Sequence, residues 1–114
     1  MRDDGGRLLD ILEAIENVEK YASRGIDEYL RDELIQVWIL HHIQIVGEAA
    51  ANLSKPLRER YPDIPWPEIA AMRNVLVHQY FGIDIQEVWD TVTADLPVLK
   101  AQVRGILIDL AEIG

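Results

Sequence analysis

The chain has 114 residues, 49% of them hydrophobic, with a formal net charge of −9 and no cysteine. That size and apolar content suit one folded domain, 1–114, rather than a disordered chain, and the lack of cysteine excludes disulfides, thiolate catalysis and cysteine-bound zinc. The acid excess argues against a broad basic face for nucleic acid, but not against an enzyme that meets a phosphodiester in one local cleft.

The opening MRDDGGRLLD holds charge where an export signal holds its apolar stretch, and no apolar run nears the roughly 20 residues of a membrane span. A cytoplasmic chain with no membrane partner is expected. Asp3 or Asp4 should cap a first helix from about Gly6 to Ala22, with Leu8, Leu9, Leu12, Ile15 and Val18 or Glu19 on its apolar side. Asp27 is placed to cap a short turn through Leu30, and Asp32 to cap the helix after it. From Glu33 to Asn52 only Gly47 interrupts a helix that is apolar nearly all round. Such a helix must be covered nearly all round, either as the centre of one bundle or by a second subunit.

Ser54 starts a short turn, KPLRER, with Pro56 in its first positions. Pro62, Pro65 and Pro67 then force an extended connector until Pro67 opens a helix that stops at Gly82. Asp84 and Glu87 have capping-box spacing for a helix through about Thr93, Asp95-Leu96-Pro97 interrupts it, and a last helix runs from Pro97 to about Ala111. Nothing shows a sustained period of two. The expected fold is an all-α bundle of four to five helices.

The segment MRNVLVHQYFG, residues 72–82, places Arg73, Asn74, His78 and Tyr80 among apolar neighbours. Desolvating such groups costs several kcal/mol unless they are paired, so they are either woven into a structural network or line a site. Asn74 and His78 are four apart and share a helix face, whereas Arg73 and His78 are about 140° apart around an ideal helix. Arginine's length, or the same helix of a second subunit, would be needed to bring the two together. The pair suits metal-free RNA cleavage: the ribose 2′-hydroxyl attacks, histidine moves a proton, and arginine stabilises the charge on phosphorus. Between Lys55 and His78 the charges are more even than elsewhere, with Arg58, Arg60 and Arg73 against Glu59, Asp63 and Glu68.

Glu48 follows Gly47 among alanines and needs a cation, for which Arg73 is the obvious partner. Adjacent His41 and His42 point about 100° apart, so at most one reaches the interior. A metal site of His41, Glu48 and His78 would require their two helices to pack together. Trp66 and Trp89 read as core or interface aromatics.

The chain resembles the HepT-like family, within the HEPN superfamily of helical ribonucleases and nucleotide-binding domains. RLLDILEAIENVEKY, IVGEAAANLS, LRERYPDIPWPEIAAMRN and VHQYFGIDIQEVWDTVTADLPVL carry the resemblance. It implies a HEPN-like bundle that pairs as a homodimer, with Arg73 and His78 catalytic at the shared cleft and Asn74 directly after the arginine. It also implies no cofactor and a toxin role, beside an MntA-like nucleotidyltransferase antitoxin that attaches AMP to Tyr80. Two other outcomes stay open: a non-catalytic module that binds a nucleotide or nucleotidyltransferase, and a structural dimer in which Glu48 and Arg73 form a buried pair.

Overall fold

Asp3 opens the first helix, α1 (Asp4–Ala22), by accepting the Gly6 backbone N–H at 2.7 Å, which satisfies one of the donors every helix start leaves unpaired. The computed structural model describes residues 3–74 and 84–113, and every regular element among them is helical. Asp4 is not the cap. Its carboxylate accepts the Ser54 N–H at 2.8 Å and ties the start of α1 to a corner 50 residues away.

The next helix, α2 (Ile26–Arg31), departs from expectation at its start. Gly25 caps it with φ +99° and Asp27 lies inside the first turn. The chain reverses tightly after α1, and only glycine takes that backbone conformation cheaply. Asp32 caps α3 (Glu33–Ala51) through the Leu34 N–H at 2.9 Å, and Ser54 caps α4 (Lys55–Arg60), with Pro56 in its first turn. Both follow from the local sequence.

A helix α5 (Trp66–Ala70) begins one residue before Pro67 and tightens into a 3₁₀ turn, Ala71–Asn74. The expected unbroken helix from Pro67 is therefore not present over 71–74, and face arithmetic for an ideal α-helix does not apply to Arg73. The remainder of that helix, with His78 and Tyr80, lies outside the described residues. Asp84 caps α6 (Ile85–Asp90) by accepting the Glu87 N–H at 3.1 Å.

The break expected at Asp95-Leu96-Pro97 is absent. A π-type turn, Thr91–Asp95, leads straight into α7 (Leu96–Ile113), with the Leu96 N–H reaching back to the Thr91 carbonyl. Pro97 has no N–H, and its ring crowds the carbonyl four residues back; widening the turn ahead of it lets the helix continue.

The core sits between α1 and α3, with α7 against the other side of α1 and α5 with the 3₁₀ turn against α3. α1 buries Leu8, Ile11, Ala14, Ile15 and Val18, while Leu9, expected inside, is 52% exposed. Ile11, three positions after Leu8, takes the inward place instead. Ile39, Ile43 and Val46 of α3 meet them, and Leu96, Leu99, Val103 and Ile106 of α7 close the far side. Each fully buried side chain of this size contributes roughly 1.5–3 kcal/mol. Not all of α3 is covered: Leu34 is 80% and Val37 56% exposed.

Side-chain hydrogen bonds to backbone carbonyls tie neighbouring helices and turns together. Trp38 Nε1 donates to the Asn17 carbonyl at 2.7 Å, joining α3 to α1, and the buried Trp66 donates to the Tyr61 carbonyl at 3.0 Å. Tyr29 joins α2 to α6: its hydroxyl donates to the Ile85 carbonyl at 2.8 Å, and its ring lies 4.9 Å from that of Trp89. Burial, and then the Asp84 carboxylate, push the Tyr29 phenol from its ordinary 10.0 up to about 12. A raised phenol pKa stabilises the fold fully below the unfolded value, and that contribution is lost as pH climbs through the folded one. Denaturant midpoints should therefore fall between about pH 10 and about pH 12, and fall less in Tyr29→Phe. At neutral pH the same substitution should cost about 1 kcal/mol for the lost hydrogen bond.

Among the described residues no helix is long and apolar enough to cross a membrane.

Candidate functional site

The site is built on one glycine. Gly47 lies on the face of α3 that meets the 3₁₀ turn, so close that a Cβ there would collide with the backbone of Met72 and Arg73. Only a residue without a side chain permits this approach. It sets Arg73 beside Glu48, the residue after Gly47, with Nη1 to Oε2 at 3.7 Å. Asn52, one turn further along, donates from Nδ2 to the Glu48 carbonyl at 2.8 Å and to its Oε1 at 3.1 Å. Asn52 therefore orients the carboxylate, and the carboxylate holds the guanidinium.

The expected pairing of Glu48 with Arg73 is present, but the pair is not buried: the side chains are 62% and 45% exposed. The structural-dimer outcome has Arg73 and Glu48 as a buried pair; within the single chain the pair is open to solvent. At 3.7 Å the contact is electrostatic rather than a hydrogen bond, so the guanidinium donors stay available for a ligand. Asn74, at the end of the 3₁₀ turn, is also exposed.

Of the two adjacent histidines, His41 is exposed and His42 is buried. The ring of His42 lies 4.4 Å from that of Trp38, and its Nδ1 is 2.8 Å from the Trp38 carbonyl oxygen. A carbonyl only accepts, so Nδ1 carries the proton and Nε2 presents a lone pair in the neutral ring.

His42 borders an open cleft of about 430 Å³ between α1 and α3. Arg7, Asp10, Glu13 and Asn17 line it from α1, and His42 and Glu48 from α3, over a floor of Ala14, Ile45 and Ala49. The spacings of three and four that bring each set to one face are helical, and the two alanines leave the space open. Glu48 belongs to both features: it lines the cleft and holds Arg73. The sequence reading missed this cleft. Its one local sign is the run of polar residues at helical spacing on α1, Arg7, Asp10, Glu13 and Asn17.

The catalytic pair expected from the sequence is placed in part. Arg73, Glu48 and Asn74 come together around the turn, whereas His78 and Tyr80 lie outside the described residues. Among the described residues, no group of three or more His, Asp or Glu is arranged to hold a metal ion. Trp66 is a core residue and Trp89 a partly buried one packed on Tyr29.

Comparison with known proteins matches residues 11–106 to the family described as ribonuclease HepT-like. A Methanocaldococcus jannaschii protein, named as a gamma-glutamylcyclotransferase with a provisional RNase assignment, is 39% identical over 101 residues. That match covers 88% of this chain but 46% of the relative, so the chain spans less than half of that longer protein. A second protein of the same organism, provisionally named an RNase, is 34% identical over 97% of both chains. A Thermococcus cleftensis protein, provisionally named as ribonuclease HepT, is 38% identical over 83% of this chain and 87% of its own. No solved structure gives a significant match. The family match over most of the chain, with relatives of its own length above 30% identity, means that the chain belongs to the HepT-like ribonuclease family.

Proposed function

We propose that this protein is the toxin of a type VII toxin–antitoxin pair, an endoribonuclease that cuts RNA (tRNA among its candidate substrates) without a metal ion. The observation that supports this most is the open guanidinium of Arg73, held by Glu48 but not hydrogen-bonded to it, where Glu48 also lines a cleft. Such a group binds two phosphate oxygens at once and stabilises the added charge of a five-coordinate phosphorus. The 2′-hydroxyl attacks the adjacent phosphorus, the bond to the 5′-oxygen breaks, and a 2′,3′-cyclic phosphate and a 5′-hydroxyl result. His78 takes a proton from the nucleophile or gives one to the leaving oxygen.

The active form is read as a homodimer, supported by the apolar surface that α3 leaves open at Leu34 and Val37. An MntA-like nucleotidyltransferase is read as the antitoxin, attaching AMP to Tyr80. A nucleotide there adds bulk and negative charge two residues from His78, where RNA phosphate must bind.

RNA incubated with the purified protein in EDTA should be cut by the parent and left intact by His78→Ala. Equal cutting by parent and variant would overturn the assignment of His78. With ATP and the nucleotidyltransferase present, the peptide holding Tyr80 should gain the mass of AMP, and Tyr80→Phe should remove that gain. An unmodified peptide from an inhibited toxin would overturn the AMP reading.

A further inference from the structure

We propose that the cleft between α1 and α3 is a nucleobase pocket that reads guanine in the nucleotide beside the phosphate held by Arg73. This rests on the ribonuclease reading of the same site.

Apart from Glu48, the residues that line the cleft take no part in the cleavage step as derived above. The cleft's most telling feature is His42, 7% exposed, with Nδ1 committed to the Trp38 carbonyl. Nε2 has no partner among the described residues. Among the described residues Nε2 is not one of the sealed, unpaired polar atoms, so it is an acceptor open to the cleft and able to meet a donor that enters. Glu13 lines the same cleft and likewise has no partner among the described residues.

The ligand is set by the lining. The carboxylates of Asp10, Glu13 and Glu48 repel a free phosphate, while Glu13 and Nε2 of His42 offer acceptors to a flat group with neighbouring N–H donors. Guanine presents N1–H and the 2-amino group side by side, which meet one carboxylate in two parallel hydrogen bonds. Adenine places an acceptor next to its amine, and uracil has a single N–H between two carbonyls. Arg7, the cleft's cation, suits the O6 and N7 acceptors of guanine. About 430 Å³ is ample for a purine. Because Glu48 both lines the cleft and pairs with Arg73, a base seated there is connected directly to the phosphate anchor.

Oligoribonucleotides that differ at one position next to the cut should be cleaved at least about tenfold faster with guanine than with inosine, which lacks the 2-amino group. Glu13→Gln, at an exposed position that leaves packing intact, and His42→Asn should each bring that ratio close to one. A readout apart from cleavage is the indole fluorescence of Trp38, which lies against His42. Guanosine should change it saturably, inosine and adenosine far less, and Arg73→Ala should retain the guanosine response because that ligand has no phosphate. RNA cleavage with no difference between guanine and inosine, and no guanosine response, would overturn the pocket while the ribonuclease reading stands. A guanosine response lost in Glu13→Gln, from a protein that cuts no RNA, would uphold the pocket and end the ribonuclease reading.

Discussion

Replacing Arg73 with alanine is expected to lower RNA cleavage by about 10²–10³-fold, the usual loss when one donor to a developing negative charge is removed. The same change should alter the free energy of unfolding by no more than about 1 kcal/mol, because exposed ion pairs contribute little and this one leaves its side chains 45% and 62% exposed. A desolvated pair would behave in the opposite way, costing about 3–5 kcal/mol when one partner is removed. Cleavage assays and denaturant melts on one preparation therefore separate a phosphate anchor from a structural strut. Arg73→Lys should recover only part of the activity, since lysine keeps the charge but not the planar two-pronged donor. A variant that cuts RNA like the parent, or unfolds several kcal/mol more easily, would contradict the placement of Arg73 in an open site.

The second large effect is expected at Gly47, and its sign is unusual. Glycine inside a helix ordinarily costs about 0.5–1 kcal/mol relative to alanine, so Gly→Ala there should stabilise. At Gly47 the added methyl would meet the backbone of Arg73 and Met72, which cannot rotate out of the way. Overpacking of this kind costs about 1–3 kcal/mol, a fall in Tm of roughly 4–12 °C for a chain of this size. It should also push the 3₁₀ turn off α3, and a displacement of about 1 Å at a positioning group can cost 10²-fold in rate. Gly105 supplies the control. It lies within α7 with nothing inside 4 Å of an added Cβ, so Gly105→Ala should raise stability by about 0.5–1 kcal/mol and leave cleavage unchanged. If both glycines respond alike, the close approach at Gly47 is wrong.

The contrast between these two glycines shows where sequence information ends. Both occupy helix interiors, and nothing within a few residues of either distinguishes them. The helix caps are the opposite case. Asp32, Ser54 and Asp84 each accept a backbone N–H two or three residues ahead, as their spacing foretells. Asp27 failed as a cap because Gly25 just before it could take the positive φ that the reversal needs. Likewise, Pro97 announced a break, but a wide turn elsewhere in the ladder absorbed it.

By itself the sequence determined what depends on neighbours along the chain: the helical class, most helix starts and the family. Capping, periodicity and composition are short-range, so they survive without knowledge of the packing. Tertiary structure alone decided that His42 rather than His41 turns inward, that Gly47 admits the backbone of Arg73, and that facing alanines hold a cleft open beside Glu48. Those outcomes depend on how far one helix stands from another and how each is rotated. Distance and rotation come from packing the whole core, which no short stretch of residues encodes.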